Sequence, residues 1–356
     1  MNYKPTRIID GDAIVYCQGA FNTPNGKTAH GLVRFTERYR VLGVIDSGYA
    51  GRDAGEVLDG KANGIRVFAS LADALTHTKP KYFVIGLAPD GGRLPVEARE
   101  TVKDAISHGL LIDSGLHDFL SEDPEISALA HEFGVTLRDV RKTPGRKDLH
   151  FFTGNIEKVN CLKIAVLGTD SAVGKRTTAW LIVHGLRAAG YKAELIGTGQ
   201  TAWMQGAKYS MIMDSLINDF VSGEIEHAVY EAWKHEKTDA IVIEGQGSLL
   251  NPAYPGGFEI LAAGRPDIIV LQHAPARTEY DGFPGYAMHP LPHQIKAIEF
   301  ISGKKVIAVT VNHEGIPHDK IDEACAQITK ETGLPAFDVL VHGAEGLVEL
   351  LKSYER

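Results

Sequence analysis

The chain has 356 residues, with 37 Lys and Arg against 45 Asp and Glu, a formal charge of −8. That acidic balance excludes a general nucleic-acid or anionic-membrane surface and leaves room only for a local basic pocket around an anionic small molecule. The length suits two domains, and Cys17, Cys161 and Cys325 stand too far apart for a metal or redox pair, so a reducing cytoplasm is expected.

The opening MNYKPTRIIDGD lacks an apolar signal core, and no apolar run approaches the length of a membrane span, so no membrane association is expected. Residues 25–34, NGKTAHGLVR, read as a polar loop beginning a helix. GKT occurs here without an upstream glycine at Walker spacing, so this is not a phosphate loop. Lys27, His30 and Arg34 form a candidate patch for an anionic substrate. Residues 39–46 read as a buried strand ending in Asp46, followed by a glycine-rich turn to Gly55. Residues 82–87 are a second strand, 95–108 have helical spacing, and 110–113 are a third strand. Helices between short apolar strands imply a parallel sheet, and ligands of such sheets bind beyond the carboxyl ends of the strands. The loops 46–55 and 89–93 are therefore binding candidates. The polar stretch 141–160, with Pro144, Gly145 and Gly154, divides the chain into domains at 1–145 and 146–356.

The second domain carries the strongest signal. The apolar run 162–167 leads into Gly168, Thr169, Asp170, Ser171, Ala172, Val173, Gly174 and Lys175, and a helical pattern over 178–189 follows. Strand, glycine-bounded loop and helix start are the context of a phosphate-binding loop. Its backbone N–H groups and Lys175 suit a phosphate. Arg176 occupies the place where Ser or Thr normally holds Mg²⁺, with Thr177 and Thr178 after it. Strand 193–196 then opens into a polar stretch with Gln200 and Thr201. Asp219 follows, as a helix cap or a metal-linked carboxylate. Strand 240–243 ends in Glu244 with Gln246 beyond, strand 268–273 ends in His273 and delivers Arg277, and strand 306–311 precedes a closing strand–helix unit over 337–353. The polar ends of 162–178, 193–201, 240–248 and 268–277 are expected along one sheet edge. There Glu244 serves as base or metal carboxylate, His273 as a second base and Arg277 as an anion clamp.

GTDSAVGK and IEGQGSLLNPAYPG resemble the phosphate loop and acidic strand end of dethiobiotin synthetase-like P-loop proteins. The joint set is more specific: NGKTAHGLVR, IDSGYAGRDAGEVLDG, GLAPDGGRLP, IDSGLHDFL, GTDSAVGKRTTAW, GTGQTAWMQG, DFVSGEIEH and LQHAPAR. It resembles a two-domain family long described only as a domain of unknown function, and within it the members known as D-glutamate N-acetyltransferases. The resemblance implies an α/β chain: a Rossmann-like parallel-sheet domain, then a P-loop NTPase-like three-layer α/β domain. It implies an enzyme that moves acetyl from acetyl-CoA to the amine of D-glutamate in D-amino-acid catabolism.

The residue chemistry suits that activity. Arginine beside the loop lysine favours neutralising the phosphates of coenzyme A over metal-assisted phosphoryl transfer. Arg277, Lys27 and Arg34 are candidates for the acceptor's carboxylates, Glu244 and then His273 for the base, and Gln200 or Gln246 for the oxyanion. No cysteine lies in a candidate loop, so a cysteine acyl-enzyme is not expected. Two other classes stay open: an ATP- and Mg²⁺-dependent kinase or ligase on a carboxylate, with Thr177, Asp219 and Glu244 at the metal, and a non-catalytic nucleotide- or CoA-responsive regulator. For a soluble enzyme of this kind a closed homo-oligomer is the expectation.

Overall fold

The structure, a computed structural model, describes residues 8–354. The expectation about the opening stretch falls largely on residues 1–7 and lies outside the described residues. The described chain forms two compact units, one of residues 8–143 with 200–206, the other of 144–199 with 207–354.

In the first unit, strands β1 (Gly11–Tyr16), β2 (Tyr39–Ile45), β3 (Arg66–Phe68), β4 (Tyr82–Ile85), β5 (Leu111–Ser114) and β6 (Leu137–Asp139) pair in parallel in the order β3-β2-β1-β4-β5-β6. The β4 strand is buried along its whole length, as an inner strand covered on both faces must be. The helix Val96–Ser107 turns Ala98, Val102, Ala105 and Ile106 inward, the spacing of one helical face. The helix Pro124–Phe133, not among the elements expected from the sequence, carries clear end signals. Its cap Asp123 accepts from Glu125 N and Ile126 N, Pro stands at its start, and Gly134 closes it at φ 65°. In the 46–55 loop the carboxylates are spent on backbone. Asp46 accepts from Phe21 N and Gly48 N, and Asp53 from Gly55 N, Glu56 N, Asn63 N and Gly64 N.

In the second unit, β7 (Leu162–Gly168), β8 (Ala193–Gly197), β9 (Tyr209–Ser210), β10 (Ala240–Glu244), β11 (Ile268–His273), β12 (Val306–Val311) and β13 (Ala336–Phe337) pair in parallel in the order β13-β12-β11-β7-β10-β8-β9. Every residue of β7, β10, β11 and β12 is buried. Because all seven strands run the same way, the loops after β7, β10, β11 and β12 emerge at one edge.

Residues 200–206 follow β8 in sequence and belong to the first unit. There Gln205 Nε2 donates to Gly31 O and Phe35 O, and the Arg38 guanidinium lies 3.7 Å from the Trp203 ring. No helix among the described residues is long and apolar enough to cross a membrane.

Candidate functional site

The phosphate-type loop sits where the fully buried β7 meets the helix Lys175–Ala188. Gly174 turns the chain at φ 104°, a left-handed angle that suits glycine. Ala172 takes φ 52°, which costs a residue with a Cβ about 1 kcal/mol and marks a loop held by its surroundings. Lys175 Nζ turns back and donates to Asp170 O at 2.6 Å and Gly247 O at 2.8 Å. The floor beneath it needs Gly245, because a Cβ there would stand 2.4 Å from Val166 O and 3.2 Å from Lys175 Cδ.

Asp170 is the hub that fixes the loop. It is fully buried, and both carboxylate oxygens are committed. Oδ1 accepts from Ser171 N at 2.7 Å and Asn251 Nδ2 at 2.8 Å; Oδ2 accepts from Asp281 N at 2.9 Å and Arg277 Nη1 at 3.0 Å. Arg277 also donates to Ser171 O at 2.9 Å and Glu314 Oε2 at 2.7 Å. Burial works to lower the pKa of Arg277, but Glu314 and Asp170 outweigh it and raise the pKa, so the group stays charged. The expected anion clamp is thus a brace that ties the loops after β7, β11 and β12 together.

Beneath the loop, Gln272 Oε1 accepts from Thr178 Oγ1 and Thr310 Oγ1. The Thr178 hydroxyl therefore points into the core and does not serve the phosphate cradle as the sequence suggests. His273 Nδ1 pairs with Thr169 Oγ1 at 2.9 Å, and burial pulls its pKa down to about 4, so the ring is neutral at pH 7. Glu244, at the end of β10, accepts from Thr198 N through Oε2 at 2.9 Å. Burial pushes its pKa up, against the pull of the Arg176 and Lys175 charges. Gln246 Nε2 donates to Thr198 Oγ1 at 2.8 Å, and Thr198 Oγ1 donates to Glu244 O at 3.0 Å, which locks the ends of β8 and β10.

The structure gathers residues 168–178, Glu244, Gln246, His273 and Arg277 in the second unit. Gln200 and Thr201, expected at this sheet edge, belong instead to the first unit with Lys27, His30 and Arg34. There Thr201 Oγ1 lies 2.9 Å from Thr28 Oγ1, His30 Nε2 bonds Phe21 O, and Arg34 holds Asp59 with two nitrogens. Asp219 is exposed in the first turn of the helix Asn218–Glu236, where a carboxylate favours the helix dipole. Among the described residues no three His, Cys, Asp or Glu side chains cluster to hold a metal. Cys17, Cys161 and Cys325 are unpaired thiols. No local pattern pointed to Thr198, Gln272, Asp281 or Glu314 as members of this site; Asn251 alone carried a local signal, the Asn-Pro turn dipeptide.

Fold and site define a P-loop α/β protein with a Rossmann-like unit before it. Two family models match in register with these units: residues 47–143 match "Domain of unknown function (DUF1611_N) Rossmann-like domain", and residues 150–348 match "Domain of unknown function (DUF1611_C) P-loop domain". The chain belongs to this DUF1611 family. It is similar to a D-glutamate N-acetyltransferase of Tritonibacter scottomollicae, 30% identical over 76% of this chain and 81% of that protein. It is 29% identical to a D-glutamate N-acetyltransferase of a Pseudoalteromonas species, over 75% of this chain and 80% of that one. Among solved structures it resembles a DUF1611 family protein from Anabaena variabilis, with a TM-score of 0.88 and 28% identity over 96% of this chain and 99% of that one.

Proposed function

We propose that this protein is an N-acetyltransferase that moves an acetyl group from acetyl-CoA to the amine of D-glutamate. The names of two relatives that match four-fifths of their own length support the acceptor and the reaction. The observation that carries the donor is the loop itself: its first two helical residues are Lys175 and Arg176, and the Thr178 hydroxyl is spent on Gln272. A loop built this way is suited to phosphate charge and offers fewer hydroxyls to a metal. The glycine floor at Gly245, where a Cβ would strike Val166 O, keeps the cradle clear of side chains.

In this reading the loop N–H groups, Lys175 and Arg176 hold the pyrophosphate and ribose phosphate of the donor. Asp170 and Arg277 keep the loop in its bound shape before the donor arrives, which lowers the ordering cost of binding. The acceptor amine must lose a proton before it attacks the thioester, so the reaction needs a base with an open face.

The test is thiol release from acetyl-CoA, scanned over D- and L-glutamate and D- and L-aspartate, with and without ATP and Mg²⁺. Thiol release with D-glutamate alone, independent of ATP, is the expected result. Silence with every acceptor, or ADP formation that requires Mg²⁺, overturns it.

A further inference from the structure

The loops after β12 and β13 place His313 against Asp338. Asp338 has a side-chain exposure of 0%, while His313 retains 35%. Asp338 Oδ2 accepts from His313 Nδ1 at 2.6 Å. Asp338 Oδ1 accepts from Leu340 N and Val341 N, each at 3.1 Å, so the carboxylate is fixed by backbone. A carboxylate that only accepts leaves the proton on Nδ1 and the lone pair of the neutral ring on Nε2. This is the arrangement of an oriented general base: an imidazole with one nitrogen tied to a buried acid, on a side chain that keeps about a third of its surface open.

The residues on either side of His313 connect the dyad's loop to the phosphate loop. Asn312 N donates to His273 O at 2.7 Å, and Glu314, the next residue after His313, accepts from Arg277 Nη2 at 2.7 Å. The same guanidinium holds Ser171 O and Asp170. One glutamate and one arginine therefore separate the dyad's loop from the loop that would hold the donor. The two bases suggested by sequence are less open. Glu244 is 4% exposed with Oε2 taken by Thr198 N, and His273 is 9% exposed with Nδ1 at Thr169.

Resting on the acetyl-transfer reading above, we propose that His313 is the general base that deprotonates the acceptor amine, with Asp338 as its positioning residue. Nε2 takes a proton from the ammonium of the acceptor and passes it to solvent. The freed amine nitrogen forms a C–N bond to the thioester carbonyl carbon. Nε2 then takes the second nitrogen proton and delivers it to the sulfur as the C–S bond breaks. The products are the N-acetyl amino acid, the thiol of coenzyme A and one released proton. The titratable neighbours are engaged elsewhere: Glu314 by Arg277, His342, whose backbone N donates to Asp338 O, by Asp322, and Cys325 as a thiol that burial, aided by the Asp338 charge, keeps protonated.

The experiment uses the full chain, acetyl-CoA and D-glutamate across a pH series. H313Q should lower kcat by about 100-fold or more, the usual weight of a general base, and leave the KM for acetyl-CoA within about twofold. The rising limb of the wild-type pH–rate profile should vanish in H313Q. D338N should lower kcat by a smaller factor and shift that limb. Free imidazole should restore part of the activity of H313A, a rescue that a merely structural histidine would not give. A wild-type enzyme that turns over while H313Q keeps its kcat and pH profile overturns this assignment alone. A wild-type chain that releases no thiol with any acceptor overturns the acetyl-transfer reading, and this assignment with it.

Discussion

Removing the Asp170 carboxylate should uncouple the phosphate loop from its supports. Asp170 is fully buried, and Asp170→Ala strands three donors at once, Ser171 N, Asn251 Nδ2 and Asp281 N, and leaves Arg277 Nη1 with Ser171 O alone. The largest component is the charge left behind. Arg277 is only 14% exposed, and its remaining acidic partner, Glu314, is 54% exposed. Removing one member of a buried pair costs about 3–5 kcal/mol, and each other stranded donor adds about 1 kcal/mol where water cannot reach it. Partial solvation at the loop holds the expected total near 4 kcal/mol, a large share of the roughly 5–15 kcal/mol that holds a domain folded. Arg277→Leu alone should cost about 3 kcal/mol, because it leaves Asp170 charged and buried. The double variant should be more stable than the sum of the two losses by about 2 kcal/mol, since neither charge is then stranded. Urea unfolding followed by tryptophan fluorescence, with Trp180 buried in the helix after the loop and Trp203 and Trp233 replaced by Phe in the common background, measures all three. Additivity within about 0.5 kcal/mol would refute the pairing of Asp170 with Arg277 as the brace of the loop.

Other expectations concern charge and packing. Lys175→Ala should raise the Kd for coenzyme A by about 10- to 100-fold, the loss of one charge-assisted contact of about 1.5–3 kcal/mol, as read by calorimetric titration. Burial depresses His273 to about 4 and His184 to about 3, so below pH 6.5 the unfolded chain takes up protons that the folded one refuses. Stability should therefore be full above pH 6.5 and fall as pH drops toward 4, by about 3 kcal/mol for His273; His273→Gln should flatten the slope of unfolding free energy against pH. Arg34 and Asp59 are partly exposed, with side-chain exposures of 30% and 41%, so Arg34→Ala should change stability by less than about 1 kcal/mol. If Asp59 holds that guanidinium in solution, the acceptor KM should stay within twofold, and a tenfold rise would return Arg34 to substrate binding.

The amino-acid sequence alone determined the local and periodic features. Apolar runs separated by helical spacing announced two parallel sheets, and β11 and β12 span the residues expected of them, 268–273 and 306–311. The phosphate-type loop was legible because its glycines, lysine and flanking strand and helix lie within about fifteen consecutive residues. The strands β1, β3, β6 and β9 escaped; for β3, β6 and β9 the reason is that two or three residues cannot display a period of two.

What only the tertiary structure decided is which polar groups meet. Asp170 finds Asn251, Arg277 and Asp281 across separations of 81 to 111 residues, set by strand order and loop path that no local pattern encodes. Thr178 turns to Gln272 because a helix starting at Lys175 faces its fourth residue toward the sheet. Residues 200–206 join the first unit because Gln205, Trp203 and Thr201 find their partners there. His313 meets its carboxylate partner only because the folded chain lays it on Asp338, twenty-five residues away and on a neighbouring strand's loop. Periodicity reports which face of an element is buried; long-range pairing depends on register and on the burial of charge, and both are properties of the assembled sheet.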